Sequence, residues 1–244
     1  MWKNIKSFTK NRLIVPLWRF FWGVIQHKNS ERLYFPHKNY IKKTLGLTYT
    51  PTLEPEMSDK SDSFCRFSYL KSVPTEFSER DALVLAKEIK RMKRRCKSIL
   101  EIGVSRFNAV TSTMTIIENK PNNAIYLGVD IENKSQIDDH DNYAYTMQEN
   151  SRNINRVIGR LKTLGVMEID MLMIDGNHSV EMALNDWKYM KHLSKHGVVV
   201  IHDTSVHPGS SVLFDAIDKG MFNKRKYFSQ LVDDWGIGVA RKIK

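Results

Sequence analysis

Short apolar runs alternate with amphipathic stretches over the last two thirds of the chain. Four of the runs have the length and composition of strands that are buried on both faces: SILEIGV (98–104), AIYLGVD (124–130), IDMLMID (169–175) and VVVIHD (198–203). Before and between them, apolar residues recur at helical spacing in the stretches 79–97, 108–119, 151–164 and 179–195. This alternation predicts an open, doubly wound α/β sheet whose strands are mostly parallel.

Local signals mark the ends of these helices. Ser78 is a good N-cap for the first helix, and Asp81 lies in its first turn. That helix ends in the basic run KRMKRRCK (90–97), which suits the carboxyl end of a helix dipole and leaves open a nucleic-acid patch as the alternative. Glycines close the two later helices, at Gly165 and Gly197.

Acidic or polar side chains follow the predicted strands. The first strand ends near Glu101 and Gly103, and the later ones end at Asp130, at Asp175 and at the pair His202–Asp203. The carboxyl ends of parallel strands meet at one edge of a doubly wound sheet, and ligands bind at that edge. We therefore expect these side chains to form a functional site there.

Gly103 and Asp130 indicate what this edge binds. A glycine after a strand lets the backbone approach a ligand closely. The acid at the tip of the next strand, 27 residues further on, can accept hydrogen bonds from both hydroxyls of a ribose. Residues 103–108 lack the G-x-G-x-x-G pattern of pyrophosphate sites. Together these features predict a bound nucleoside without a pyrophosphate.

Four motifs carry a family resemblance. The segments LEIGV, GVDI, IDGNHS and VVVIHDT, in this order and spacing, resemble the class I S-adenosylmethionine-dependent methyltransferases, and within them the cephalosporin-hydroxylase-like proteins and sugar O-methyltransferases. The match covers residues 78–243, and its last part, KYFSQLVDDWGIGVARKI, resembles the closing antiparallel hairpin of the family. The resemblance implies a Rossmann-like sheet of seven strands and O-methylation of a sugar hydroxyl in a glycan or glycolipid.

The resemblance also implies which residues hold S-adenosylmethionine. By their motif positions, these are Glu101 and Gly103 beside the methionine part of the cofactor, Asp130 at its ribose, Asn150 and Ser151 near its adenine, and Asp175 beside it. The chain departs from the family in two places. Ser105, Phe107 and Asn108 stand where relatives usually have glycines, and Asn150 replaces the usual acid.

The catalytic residue implied by the resemblance is His178, three residues after Asp175. A sugar hydroxyl is a poor nucleophile at neutral pH, so a base must take its proton during transfer, and histidine has a suitable pKa. Acids at the positions of Asp175 and Asp203 help related enzymes hold a divalent cation, for which oxygen ligands suit magnesium. The family often has two adjacent acids at the end of the strand that VVVIHD (198–203) matches, whereas this chain has His202–Asp203 there.

Structural interpretations of the same residues stay open. His178 is also placed to cap the helix that starts at Ser179, and Asp203 to brace the turn that follows it. The segment 207–209 (HPG) is interpreted as a turn, with a substrate loop as the alternative. The acidic DDHD stretch, 138–141, is interpreted as a solvated loop.

Charge is concentrated in the amino-terminal segment, residues 1–47. Residues 1–50 hold ten Lys and Arg against one acid, a charge of +9 out of the net +11. The apolar run LIVPLWRFFWGVI (13–25) is shorter than the roughly 20 residues that span a bilayer, and no signal-peptidase site follows it. We expect a segment that lies on an anionic membrane surface, or a helix that packs on the protein.

Length and composition complete the domain prediction. The 244 residues allow one sizeable core, with a linker or lid over residues 48–77 and a catalytic domain over residues 78–244. The two cysteines, Cys65 and Cys96, fit neither a disulfide framework nor a zinc site. A cytoplasmic location, at the inner membrane face if the first segment binds lipid, is therefore expected.

Three functional hypotheses follow. The first is an S-adenosylmethionine-dependent O-methyltransferase with a carbohydrate or glycolipid acceptor, S-adenosylmethionine as cofactor and magnesium as a candidate metal. The second is a nucleic-acid methyltransferase, which the basic charge favours. The third is a non-catalytic scaffold or binding member of the fold, which the missing glycines favour. The amino-terminal segment also offers a contact for an oligomer.

Overall fold

The computed structural model describes residues 77–105, 111–204, 207–227 and 236–243. The segment predicted for residues 1–47 lies outside these residues, as does the predicted linker apart from residue 77. Apart from residue 77, the described residues belong to the predicted catalytic domain. Its boundaries and those of the two preceding segments stay predictions.

One sheet of seven strands organises the described residues. The strands are β1 (Ser98–Ile102), β2 (Ile125–Asp130), β3 (Ala144–Gln148), β4 (Ile169–Ile174), β5 (Leu193–His202), β6 (Phe222–Tyr227) and β7 (Ile237–Lys242). Their order is β3-β2-β1-β4-β5-β7-β6. Strands β1 to β5 are parallel, and β7 runs antiparallel to both β5 and β6. The predicted doubly wound, mostly parallel sheet and its closing hairpin are confirmed.

Five α-helices cover the sheet in the described part of the chain. They are α1 (Glu79–Met92), α2 (Ser112–Asn119), α3 (Ile154–Thr163), α4 (Val180–Trp187) and α5 (Pro208–Ala216). Side-chain oxygens cap three of them, at Ser78, Thr111 and Ser179. Because Ser179 caps α4, the interpretation of His178 as that cap is wrong. The HPG segment is also more than a turn, since His207 is the N-cap residue of α5 and the helix begins at Pro208.

Two apolar layers hold the helices on the sheet. Alternate residues of each strand face opposite sides, so Ile99 packs with α1 and α2 while Leu100 packs with α3, α4 and α5. Trp187 is fully buried on the second side. Each large side chain buried in this way contributes about 1.5–3 kcal/mol relative to exposure. The sheet edge that carries the site is therefore fixed from both faces.

The boundary between α4 and β5 differs from the prediction. Helix α4 ends at Trp187, a 3₁₀ turn follows over Lys188–His192, and β5 already begins at Leu193. Gly197 therefore lies inside β5, where the register with β4 shifts between Ile169 and Met171. An added Cβ at Gly197 would stand 2.4 Å from Cγ of Leu193, so this irregular stretch needs glycine for close packing rather than for a helix end.

The longest helix of the described residues is α1, with 14 residues. Spanning a bilayer takes about 20 residues. None of the described helices is both long and apolar enough to cross a membrane.

Candidate active site

Gly103 turns the chain at the carboxyl end of β1. Its φ is +87°, and an added Cβ would lie 2.3 Å from the backbone oxygen of Asp175. Its N–H donates to the carbonyl of Val129, at 2.9 Å. Only glycine combines this backbone conformation with so close an approach. The turn after β1 is thereby packed directly against the end of β4.

Glu101 lies beneath that turn and is completely buried. Its Oε2 accepts hydrogen bonds from the hydroxyls of Thr113, at 2.8 Å, and Tyr126. Burial raises the pKa of Glu101 to about 7. Its Oε1 has no hydrogen-bond partner among the described residues. A buried acceptor left open in this way suits a donor group of a ligand at the sheet edge.

Asp130 ends β2 with its carboxylate fixed by two backbone groups. Oδ2 accepts from the N–H of Val104 at 2.9 Å, and Oδ1 accepts from the N–H of Glu132 at 2.8 Å. The side chain is only half-buried. Each oxygen keeps a second lone pair for the hydroxyls of a ribose. Asp130 is therefore held in place and accessible at its predicted position.

Asn150 and Ser151 follow β3 at the same edge. Asn150 is exposed, and its Oδ1 accepts from the N–H of Arg152 at 3.0 Å. Ser151 is buried, and its carbonyl accepts from the hydroxyl of Tyr189 at 2.7 Å. This turn follows β3, which pairs with β2, and β2 in turn pairs with β1, so the turn lies at the same sheet edge as the ends of those two strands.

His178 is paired with Asp203. Its Nε2 lies 2.9 Å from Oδ2 of Asp203, and the His178 side chain is 29% exposed while that of Asp203 is 3% exposed. Burial lowers the pKa of His178, but the hydrogen bond and negative charge of Asp203 outweigh it, so the pKa is raised. Asp203 itself has φ +60°, a left-handed conformation that aims its side chain back at the loop after β4.

His207 joins this pair from the start of α5. Its ring stacks on that of His178 with centroids 4.3 Å apart and planes 14° from parallel. The backbone supports the stack, since the N–H of His207 donates to the carbonyl of Asp203 at 3.1 Å and the N–H of Gly209 donates to the carbonyl of His178 at 3.0 Å. The two half-exposed imidazole rings therefore place polar groups beside the sheet edge.

His202 lies buried among three carboxylates. Nδ1 is 3.0 Å from Oδ1 of Asp175 and 3.1 Å from Oδ1 of Asp203, and Nε2 is 3.3 Å from Oδ2 of Asp81. Burial lowers the pKa of His202, but the charges of Asp175 and Asp203 raise it well above the usual value. Both ring nitrogens therefore lie next to carboxylate acceptors. A protonated ring offsets part of the negative charge of these carboxylates.

In the structure, the histidine predicted for catalysis does not pair with Asp175, its neighbour in sequence. Asp175 is close to His178 in sequence, but it hydrogen-bonds to His202 and to the hydroxyl of Ser112, the latter at 2.9 Å. The partner of His178 is Asp203, from the next strand. Asp175 and Asp203 both lie close to the ring of His202, and His178 contacts Asp203, while the catalytic and metal roles of these residues stay predictions.

The side chains around the predicted magnesium ligands offer imidazole nitrogens as well as carboxylate oxygens. Among the described residues, the groups that could share a metal ion are His178–Asp203–His207 and Asp175–His202–Asp203. Magnesium prefers oxygen ligands in octahedral geometry, whereas imidazole suits transition metals. Each group contains at least one imidazole ring. The residues present therefore do not fit the oxygen-only set that the magnesium prediction requires.

Sequence reasoning missed several residues of the site. They come from α1, α2 and β2: Asp81, Ser112, Thr113 and Tyr126. The spacing of Ser78 and Asp81 signals their capping box, but nothing in it signals the contact of Asp81 with His202. By contrast, His140 lies in an exposed loop beside Tyr145, as the solvated-loop interpretation expects.

Comparisons with known proteins agree with this architecture. Residues 84–204 match a family model described as a methyltransferase domain. The O-methyltransferase from Bacillus cereus in complex with S-adenosylhomocysteine is 12% identical, with a TM-score of 0.50 over 68% of this chain and 81% of that one. TomG from Streptomyces achromogenes, in complex with S-adenosylmethionine, is 12% identical, with a TM-score of 0.52 over the same shares. No curated protein shows significant sequence similarity to this chain.

MycE from the mycinamycin biosynthetic pathway, in complex with magnesium and S-adenosylhomocysteine, is 17% identical with a TM-score of 0.43. The match covers 51% of this chain and 32% of MycE, so this chain spans about a third of that protein. The fold and the domain match identify a methyltransferase domain in this chain, over residues 84–204.

Proposed function

We propose that this methyltransferase transfers the methyl group of S-adenosylmethionine to a sugar hydroxyl of a glycan or glycolipid. The observation that carries the proposal is the half-exposed His178, which is paired with the buried carboxylate of Asp203 beside the cofactor edge. The resemblance of the IDGNHS and VVVIHDT motifs to sugar O-methyltransferases supports the acceptor class.

The cofactor is assigned to the ends of β1, β2 and β3. Gly103 lets the turn after β1 pack against Asp175, Asp130 accepts from the ribose hydroxyls, and the open Oε1 of Glu101 is the acceptor for a donor group of the methionine part. Asn150 and Ser151 border the adenine. When bound, S-adenosylmethionine supplies an electrophilic methyl group on its sulfonium sulfur.

His178 is assigned as the general base. With Nε2–H directed at Asp203, the neutral ring has its lone pair on Nδ1. Nδ1 takes the hydroxyl proton while the hydroxyl oxygen forms a bond to the methyl carbon and the carbon–sulfur bond breaks. The products are the methyl ether, neutral S-adenosylhomocysteine and a protonated His178, which Asp203 stabilises. Positioned bases of this kind contribute roughly 10²–10⁴-fold to rate.

The His–Asp pair favours a hydroxyl over an amine acceptor. A neutral amine attacks with a free lone pair, whereas an alcohol loses its proton during attack and so benefits from a base. The stacked rings of His178 and His207 also present polar, half-exposed edges, which suit an acceptor with many hydroxyls. Magnesium has no role in this proposal, because the donor set does not fit it.

The basic run of the first helix does not favour a nucleic-acid acceptor. The exposed residues Lys93–Arg95 lie three residues before β1 begins, at the sheet edge opposite to His178. The run therefore does not line the strand ends to which the cofactor is assigned. The proposed membrane role rests instead on residues 1–47, whose tryptophans and charges suit the surface of an anionic membrane.

The test uses the purified full chain. We expect S-adenosylmethionine to bind with a one-to-one stoichiometry in calorimetry, and labelled methyl groups to pass to a sugar or glycolipid in an acceptor panel that also contains RNA. Absence of cofactor binding would support the non-catalytic scaffold, and saturable methylation of RNA alone would support the nucleic-acid enzyme. Co-sedimentation with anionic liposomes, compared with a chain that lacks residues 1–47, tests the membrane role.

A further inference from the structure

Each carboxylate oxygen of the two predicted metal ligands lies close to a nitrogen or hydroxyl of the protein, although Oδ1 of Asp203 has no hydrogen-bond partner among the described residues. For Asp175, Oδ1 lies 3.0 Å from Nδ1 of His202 and Oδ2 lies 2.9 Å from the hydroxyl of Ser112. For Asp203, Oδ1 lies 3.1 Å from the same Nδ1 and Oδ2 lies 2.9 Å from Nε2 of His178. The imidazole of His202 therefore lies between the two carboxylates, with its Nδ1 close to one oxygen of each.

Residues on the side away from Asp175 and Asp203 hold the ring of His202 in this position. Its Nε2 contacts Oδ2 of Asp81 in the first turn of α1, at 3.3 Å. Asp81 is itself fixed by a capping box, in which it accepts from both the N–H and the hydroxyl of Ser78. The ring of Phe77 packs on that of His202, with centroids 4.8 Å apart. The position of His202 is thus set by contacts on the side away from the site.

We infer that the imidazole of His202 takes the place of a divalent cation between Asp175 and Asp203, so that this edge of the sheet works without a metal. His202 is then a positioning residue. It holds Asp203 in the orientation that pairs with His178, and this last role rests on the proposed function. The inference about the metal does not depend on it.

A magnesium ion and the imidazole of His202 exclude each other between Asp175 and Asp203, because a hard cation has strict ligand requirements. Magnesium requires near-octahedral oxygen coordination at about 2.0–2.1 Å. The ring of His202 lies where such a cation would have to contact one oxygen of each carboxylate, so the ring and the cation cannot both be held there. The same arrangement explains why this chain has His202–Asp203 where the family often has two adjacent acids. The histidine takes the position of the first acid.

Binding of Mn²⁺ to the full-length wild-type chain is the first test. Mn²⁺ has the ligand preference of magnesium and is visible by electron paramagnetic resonance. We expect no stoichiometric Mn²⁺ binding, and we expect a chelator to leave the affinity for S-adenosylmethionine unchanged. One tightly bound Mn²⁺ that disappears in Asp175→Asn would overturn the inference. This readout needs no turnover, so it is separate from a failure of the proposed reaction.

His202→Asp is the second test, because it replaces the ring with a smaller oxygen donor beside Asp175 and Asp203. We expect this variant to bind one Mn²⁺ at least 100-fold more tightly than the wild type, and His202→Asn, which adds no charge, to show a much smaller gain. Where transfer is measurable, Mn²⁺ should restore it in His202→Asp, while a chelator leaves the wild type active. A folded His202→Asp protein that gains no Mn²⁺ affinity would show that this place is not a cation position.

Discussion

The Nε2 atom of His178 lies 2.9 Å from Oδ2 of Asp203, and the two residues come from the loops after the neighbouring strands β4 and β5. The pair forms because these strands are parallel and hydrogen-bonded, so their carboxyl ends meet. The histidine is half-exposed and the acid is buried, which leaves one ring nitrogen for a substrate. This geometry gives the site its assigned base.

His178→Ala removes that base. We expect the rate of methyl transfer to fall by roughly 10²–10⁴-fold, because the hydroxyl then loses its proton only to water, while the affinity for S-adenosylmethionine stays within about twofold. Initial rates and calorimetry measure the two effects. The control is His196→Ala, an exposed histidine at the opposite end of β5, which should leave both unchanged. Equal rates for the two variants would remove His178 from the mechanism.

The pH dependence of transfer should follow the protonation of His178. Only the neutral ring accepts a proton, so kcat/KM should rise with pH through the pKa of His178, which Asp203 raises above its usual value of 6.5 despite burial. In Asp203→Asn the negative charge is lost, and the midpoint should move to lower pH. The maximal rate should fall at least about tenfold, since the protonated ring loses its partner.

Asparagine is the appropriate replacement because it tolerates the left-handed backbone at position 203, where φ is +60°. The variant should therefore keep its fold, as circular dichroism can confirm. A midpoint that does not move would mean that another group controls the profile.

Gly103→Ala and Gly159→Ala should have opposite effects on stability. At Gly103 the added Cβ meets backbone 2.3 Å away and φ is +87°, so we expect a loss of at least about 1–3 kcal/mol in the free energy of unfolding and weaker cofactor binding. At Gly159, inside α3, nothing lies within 4 Å of the added Cβ. That variant should gain about 0.5–1 kcal/mol from helix propensity.

Urea unfolding with and without S-adenosylhomocysteine measures both glycine effects. If Gly103→Ala matched the wild type in stability and in affinity, the packing of the β1 turn against Asp175 would not be the constraint that the geometry indicates.

Glu101→Gln should change how stability depends on pH. The pKa of Glu101 is about 7 in the folded protein because of burial and 4.5 as its usual value, so the folded state binds more protons between these values. Its contribution is therefore fully present below pH 4.5 and is lost as pH rises through 7. Because the amide does not ionise, the variant should gain roughly 1–3 kcal/mol relative to the wild type between pH 5 and pH 8.

Urea unfolding at about pH 5 and pH 8 gives the Glu101→Gln comparison. Taking the difference between the two proteins cancels the other titrating groups, which both share. A difference that does not change with pH would place the pKa of Glu101 near its usual value.

Much of the fold could be predicted from the order of residues along the chain. The strands β1, β2 and β4 are continuous apolar runs, and the acids or glycines that end them follow directly in sequence. For the same reason the sequence predicts that Glu101, Gly103, Asp130 and Asp175 lie at one edge of the sheet. The start of β5 was not predictable, because the irregular pairing of residues 193–198 with β4 depends on packing between strands rather than on periodicity.

The sequence by itself determined the class of fold, the edge that carries the site and the identity of most of its side chains, because burial and strand direction are local properties of the pattern. Only the tertiary structure decided which side chains pair. His178 bonds to Asp203 rather than to its neighbour Asp175, and His202 is held by Asp81, 121 residues away. Such contacts depend on the order in which strands and helices lie side by side, which a one-dimensional pattern does not contain.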